Sequence, residues 1–99
     1  MYNASIAFQV LPKTKDNRKT LQIIDKVIHL VDKSKVSYTV GPMETTMEGN
    51  LEDLLEIVKK AQNLCIKEGA ESVFTNVKIM YSPKGVMTIE EKLKKYSKK

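Results

Sequence analysis

The hydrophobic pattern of this 99-residue chain changes its period several times, and the order of those changes constrains the fold most strongly. Residues 2–11 alternate between an apolar face and a small or polar face, which predicts a β-strand that ends at Pro12. Residues 72–80 alternate in the same way and predict a last strand. The apolar face of the first strand consists of Ala4, Ile6, Phe8 and Val10.

Two segments between these strands repeat with the period of an amphipathic helix. The first spans about 18–33, with Asp16 or Asn17 as its N-cap, and the second spans about 51–67. Asn50 is the expected N-cap of the second helix, and Gly69 is expected to end it. The predicted buried stripes are Leu21, Ile24, Val27, Ile28 and Val31, flanked by Ile23 and Leu30, in the first helix, and Leu51, Leu54, Leu55, Val58, Ala61 and Cys65 in the second.

Two short strands, 36–40 and 44–48, are predicted between the helices, joined by the turn-forming pair Gly41-Pro42. The sequence from Thr88 to Glu91 matches a capping box and opens a short C-terminal helix. The order βαββαβ plus a helix predicts one α+β domain over 1–99, a ferredoxin-like sandwich with an extra C-terminal helix. Because both long helices cover the same face of the sheet, we expect the other face to lack a helix and to favour sheet-to-sheet association.

Composition indicates a soluble protein, since 41% of residues are hydrophobic and 29% are charged. The sequence predicts neither a secretory leader nor a membrane span, so we expect a cytoplasmic protein. The single cysteine excludes an internal disulfide and a multi-cysteine metal site. The net charge of +5 comes mainly from basic residues in 13–19 and 92–99. With one arginine and no interleaved aromatic residues, nucleic-acid binding is a minority interpretation.

The sequence gives little support for an enzyme, and we predict no catalytic residue, metal site or cofactor. Cys65 lies on the predicted buried stripe of a helix, where a structural thiol is far more common than a nucleophile. His29 falls on the solvent side of the other helix and cannot form a metal site alone. Phosphate-binding loops and dinucleotide-binding glycine patterns do not occur in this sequence.

The segment YTVGPMETTMEG, residues 38–49, differs in composition from the rest of the chain. Its Tyr38, Pro42-Met43, Thr45 and Glu48-Gly49 resemble the hallmark of the thiamine-binding protein family, and the resemblance extends over nearly the whole chain. One departure is Glu44, which stands where the family often has glycine. The resemblance implies a ferredoxin-like homotetramer that binds thiamine, or its hydroxymethylpyrimidine half, between subunits as a carrier, store or sensor.

Thiamine joins a permanent cation to an aminopyrimidine, so its site needs a carboxylate, hydrogen-bonding groups and a flat apolar surface. Glu48 can balance the cation or bond the aminopyrimidine, Tyr38 offers an aromatic ring, and methionine supplies an adaptable wall. Glu48 and Thr45 are the first choices. The full set of predicted ligand-binding residues is Glu48, Thr45, Thr46, Tyr38, Met43, Ser5, Gln9 and Asn76.

Each of these residues also has an interpretation without a ligand. Glu48 before Gly49 favours the start of the second helix, because a carboxylate stabilises a helix N-terminus. The two threonines suit any strand, Tyr38 suits the edge of the core, and Met43 suits a subunit contact. The amides of Gln9 and Asn76 can bond across a subunit interface.

Two other functions therefore stay open at this point. One is a structural or interaction protein that uses the 38–49 segment for assembly and binds no small ligand. The other is a weak nucleic-acid binder that uses the basic C-terminus, whose affinity would fall steeply with salt.

Overall fold

The computed structural model describes residues 2–96, apart from the side chains of Lys92, Lys95 and Tyr96. The element order is confirmed, and the basic residues Lys98 and Lys99 lie outside the described residues. The elements are β1 (Ala4–Lys13), α1 (Asn17–Lys33), β2 (Ser37–Val40), β3 (Thr45–Gly49), α2 (Leu51–Lys67), β4 (Ser72–Tyr81) and α3 (Ile89–Tyr96).

The four strands form one antiparallel sheet in the order β2-β3-β1-β4, which confirms the ferredoxin-like α+β fold. The prediction that Pro12 ends the first strand is wrong, because β1 continues to Lys13 and Pro12 pairs with Val73 of β4. Pro12 lies beyond the last β1–β3 pair, Phe8 with Thr45, so no strand on that side requires the N–H that proline lacks.

The core lies between one face of the sheet and the two long helices. Its largest fully buried side chains include Phe8 and Ile6 of β1, Met47 of β3 and Leu54 of α2. In α1 the buried row is Ile23, Val27 and Val31, at a spacing of four residues.

The predicted helix stripes are confirmed at most positions, including Val27 and Val31 of α1 and Leu54, Val58, Ala61 and Cys65 of α2, and they are wrong at the two positions that follow. Leu21 is 61% exposed, and Leu55 is 39% exposed while Ile57 is buried in its place. The reason is that a wide apolar arc does not fix which row of a helix faces the sheet. Within the described part of the chain, none of the helices is long and apolar enough to cross a membrane.

The helix ends show which capping predictions hold. Asp16 caps α1, since its carboxylate accepts the N–H of Lys19 at 2.9 Å. Asn50 makes no side-chain cap bond; instead the side-chain oxygen of Asn3 accepts the N–H of Leu51 at 3.0 Å. The start of α2 is therefore capped from the N-terminal segment. Gly69 follows the end of α2 with φ +110°, which confirms its predicted role.

Candidate functional site

The alternation of side chains sorts the predicted ligand-binding residues onto two faces of the sheet. Thr45 lies opposite Phe8, and Tyr38 lies opposite Met47, so both point to the helix side. Glu48 and Thr45, the two first choices, lie on opposite faces and the structure does not bring them together. The other face, turned away from α1 and α2, is called the open face here and carries Ser5, Gln9, Thr46, Glu48 and Asn76.

Glu48 lies on the open face, on β3, between the neighbouring strands β1 and β2. The residue is 5% exposed, and it belongs to a row of directly paired residues with Ser5 on β1 and Ser37 on β2. One carboxylate oxygen, Oε1, accepts the Ser37 hydroxyl at 2.9 Å. The other, Oε2, accepts the backbone N–H of Ile89 at 2.6 Å. Two charge-assisted bonds therefore fix the orientation of a buried anion.

Helix α3 begins directly over this carboxylate. Thr88 and Glu91 form the predicted capping box, in which the N–H of Thr88 donates to Glu91 at 2.8 Å and the N–H of Glu91 donates to the Thr88 hydroxyl at 3.1 Å. These bonds leave the N–H of Ile89 free to meet Glu48, and the positive end of the helix dipole favours the anion.

The expectation that no helix covers the open face is therefore wrong at this end. The segment after β4 is anchored to the start of the chain, where the N–H of Ser82 donates to Asn3 and the N–H of Val86 donates to Tyr2. This segment carries the chain from β4 at the edge to the level of β3. The capping box predicts where α3 begins in the sequence, but it does not predict where the preceding segment places α3 on the sheet.

A shallow cavity of about 540 Å³ lies between α3 and the sheet. Glu48 and Ser37, which are bonded to each other, contribute to the lining of this cavity on the sheet side. Exposed residues of α3 form the opposite wall. The lining residues are Ser37, Glu48, Ile89, Glu90, Leu93 and Lys94.

The middle of the open face is polar and already internally bonded. The amide of Asn76 donates to the side-chain oxygen of Gln9 at 3.1 Å. Glu44, where the family often has glycine, forms an ion pair with Lys78 at 3.0 Å. Because this pair is exposed, it contributes at most about 1 kcal/mol to stability.

A second concave surface lies on the helix side, between the β2–β3 hairpin and α1. This groove has a volume of about 210 Å³, and it is lined by apolar side chains such as Ile28 and Val40 together with Met43, Glu44 and Thr45. It therefore contains two of the predicted residues that the open face lacks. It has no buried carboxylate, since Glu44 turns to Lys78.

Tyr38 is tied to the neighbouring helix. Its hydroxyl donates to the carboxylate of Asp32 at 2.9 Å, and this hydrogen bond, together with burial, raises the pKa of Tyr38. The ring packs against the core from β2. The contacts of Tyr38 are thus those of a residue that joins β2 to α1.

Comparison with known proteins decides the family. The chain matches the family described as thiamine-binding protein over residues 6–97. It belongs to the thiamine-binding protein family. The resemblance inferred from residues 38–49 is thereby confirmed.

Relatives of this thiamine-binding family member cover almost the whole chain. It is 49% identical over 96 residues to a UPF0045 protein of Clostridium perfringens, which covers 97% of this chain and 99% of the relative. A Bacillus cereus structure of a DUF77 domain of unknown function is 46% identical, with a TM-score of 0.85, and covers 95% of this chain and 89% of that one. A candidate thiamine biosynthesis/salvage protein of Thermotoga maritima is 30% identical, with a TM-score of 0.82, and covers 95% and 98%.

Two contributors to the site were missed from the sequence. Ser37 bonds Glu48, and the alternation along β2 places it on the face opposite to Tyr38, so the hairpin register could have revealed it. The backbone of Ile89 has no sequence signal beyond the neighbouring capping box. Cys65 stays outside the site: it is fully buried in α2, and burial raises the pKa of its thiol.

Proposed function

We propose that this protein binds thiamine or a related pyrimidine without transforming it, as a carrier, store or sensor. The ligand is held on the open face, beside Glu48, between subunits of a homotetramer. The observation that carries the proposal is the Glu48 carboxylate, which is 5% exposed, rigidly bonded and open to a cavity of about 540 Å³. Membership of the thiamine-binding protein family supports it.

The hydrogen-bonding capacity of Glu48 fits a cationic or aminopyrimidine ligand. An ionised carboxylate has about four acceptor sites. Ser37 and Ile89 occupy one on each oxygen, so both oxygens retain a site for an incoming N–H. A ligand can therefore bond Glu48 without displacing α3. The attraction between this carboxylate and a positive charge on the ligand is stronger than the same attraction in water, because the surroundings are partly desolvated.

The rest of the open face supplies weaker polar contacts and an apolar wall. Thr46 lies two residues from Glu48 on the same strand and the same face, next to the small side chain of Ala7. Met80 pairs with Ser5 and is 58% exposed, and Phe74 is 65% exposed. An exposed apolar side chain such as Met80 beside a polar cavity favours closure by a second subunit, which is the role proposed for the tetramer.

A binding role agrees with the positions of the most reactive side chains. Cys65 is buried in α2 and His29 is exposed on α1, and both helices lie on the side of the sheet opposite to Glu48. The chemistry available at the proposed site is charge neutralisation and hydrogen bonding.

Thermal unfolding with added ligand tests the proposal. We expect thiamine or hydroxymethylpyrimidine to raise the melting temperature in proportion to the logarithm of ligand excess. Glu48→Gln should reduce this ligand-induced shift relative to its own ligand-free melting temperature. Glu56→Gln, which neutralises an exposed carboxylate on α2, is the matched control and should keep the full shift. The absence of a shift for both compounds at millimolar concentration would refute the proposal.

A further inference from the structure

Helix α3 is held to the sheet by few contacts. Within the residues that the structure describes, the only hydrogen bond that joins α3 to the sheet runs from the N–H of Ile89 to Oε2 of Glu48. Leu93 lies one turn after Ile89 on the same side of the helix, and it is 60% exposed. None of the described side chains of α3 belongs to the buried core. The position of α3 therefore depends largely on Glu48.

Open space lies next to the first turn of α3. The cavity that Glu48 lines has a volume of about 540 Å³. A second cavity, of about 640 Å³, is lined by Tyr2, residues 84–86, Thr88 and Glu91. Helix α3 can therefore move relative to the sheet without displacing core side chains.

The chain before α3 is anchored to the N-terminal segment as far as Val86. The N–H of Ser82 donates to the carbonyl of Asn3 at 2.9 Å, and the N–H of Val86 donates to the carbonyl of Tyr2 at 3.0 Å. Met87, which is 45% exposed, is the residue between this anchor and the capping box. A backbone rotation at Met87 would carry α3 away from the sheet and leave the anchor in place.

An undocked α3 would not stay helical. It has eight residues, and isolated helices shorter than about 12 residues are marginal in water. Amide protection within α3 therefore measures how often the helix leaves the sheet.

We propose that α3 is a lid over the Glu48 site, that it opens at Met87, and that the bond from Ile89 to Glu48 holds it closed. This inference rests on the proposed function, since it concerns how the ligand reaches that site. Glu48 is 5% exposed in the closed state, so a ligand the size of thiamine reaches the carboxylate after α3 lifts. Both carboxylate oxygens retain an acceptor site, so α3 can close again over the bound ligand.

The substitution Ile89→Pro removes the holding bond and spares the helix. Position 89 is the first residue of α3 after the Thr88 cap, where an N–H has no partner within the helix and proline is favoured. We expect Ile89→Pro to lower the protection factors of the amides of residues 93–96 at least about tenfold, because a hydrogen bond to a charged group is lost.

The substitution Ile89→Ala is the matched control for this experiment, because it keeps the N–H and should keep most of the protection. Unchanged protection in α2 shows that both variants are folded. The role of Glu48 in holding α3 is overturned if Ile89→Pro keeps the wild-type protection, if both variants lose it equally, or if these amides are unprotected in the wild type.

Stopped-flow mixing with thiamine tests the lid, because a lid controls the rates of ligand entry and release. In Ile89→Pro the association and dissociation rate constants should both rise at least about tenfold. Asn17→Pro, which makes the matching change at the first residue of α1, is the control and should keep the wild-type constants.

The outcomes separate the lid from the proposed function. Wild-type rate constants in Ile89→Pro would overturn the lid and leave thiamine binding intact. A wild-type protein that does not bind thiamine would refute the proposed function and the lid together, while the protection factors would still decide whether Glu48 holds α3.

Discussion

Glu48 on β3 accepts the backbone N–H of Ile89 at the start of α3, at a distance of 2.6 Å. This contact gives one side chain two functions. It holds the N-terminus of α3 over the open face, and it keeps a carboxylate oriented in the lining of a cavity. Changes at Glu48 are therefore expected to alter both local stability and ligand binding, and the two effects must be measured separately.

Replacing Glu48 by Gln should lower the free energy of unfolding by about 1–2 kcal/mol. The amide retains one acceptor oxygen, so it cannot receive both the Ser37 hydroxyl and the Ile89 N–H as the carboxylate does. Urea unfolding measures the loss. Glu56→Gln on the exposed face of α2 should change stability by less than about 0.5 kcal/mol, and an equal loss in both variants would contradict this reasoning.

The start of α3 should weaken in acid. The backbone N–H of Thr88, and then its hydroxyl, lower the pKa of Glu91. A carboxyl whose pKa is lowered by folding stabilises the fold above its unfolded value, about 4.3, and that contribution is lost as pH falls through the folded value. The protection factors of the amides of residues 89 and 91, which are corrected for the pH dependence of intrinsic exchange, should fall in this range. In Glu91→Gln these protection factors should be low at every pH; a protection factor that still falls in acid in that variant would exclude the capping box as the cause.

Tyr38 should ionise later than an ordinary tyrosine. Its hydrogen bond to Asp32, with burial, raises its pKa above about 10. Stability from this bond is complete below the unfolded value and is lost as pH rises through the folded value. Absorbance titration of tyrosinate should show a late component that disappears in Tyr38→Phe and shifts to lower pH in Asp32→Ala. If Asp32→Ala leaves the titration unchanged, the bond does not set this pKa.

Two neighbouring threonines distinguish the faces of the sheet. Thr46 lies on the open face with Glu48, whereas Thr45 lies opposite Phe8 on the helix side. Thr46→Val should weaken thiamine binding by about tenfold, equivalent to about 1.4 kcal/mol, whereas Thr45→Val should leave the affinity unchanged. Titration calorimetry of both variants measures this, and the reverse order would place the ligand in the groove beside α1.

The element order was predictable because each helix and strand has its own hydrophobic period, which is visible within one continuous stretch of sequence. The bounds of α2, the Asp16 cap and the Thr88–Glu91 capping box are confirmed for the same reason: all are local. The burial of Ile23 in preference to Leu21 was not predictable, because both side chains are apolar and packing alone selects the buried row.

The site was predicted less well than the fold. Alternation already separates Thr45 from Glu48, since residues three apart on one strand face opposite ways, yet the choice of residues followed the motif and not the strand geometry. The contact between Ile89 and Glu48 depends on how residues 82–88 cross the sheet. This segment is held by backbone hydrogen bonds to Tyr2 and Asn3, near the other end of the chain. Contacts between residues so distant in sequence leave no periodic signal.

The most direct test of the ligand site is a thiamine titration followed by amide resonances. The N–H of Ile89 donates to the carboxylate of Glu48, so its resonance reports on any group that approaches this side chain. We predict saturable shifts at Ile89 and Ser37, with little change at Val40 and Met43 in the groove beside α1. Shifts confined to the groove, or no shift at millimolar thiamine, would contradict binding at Glu48.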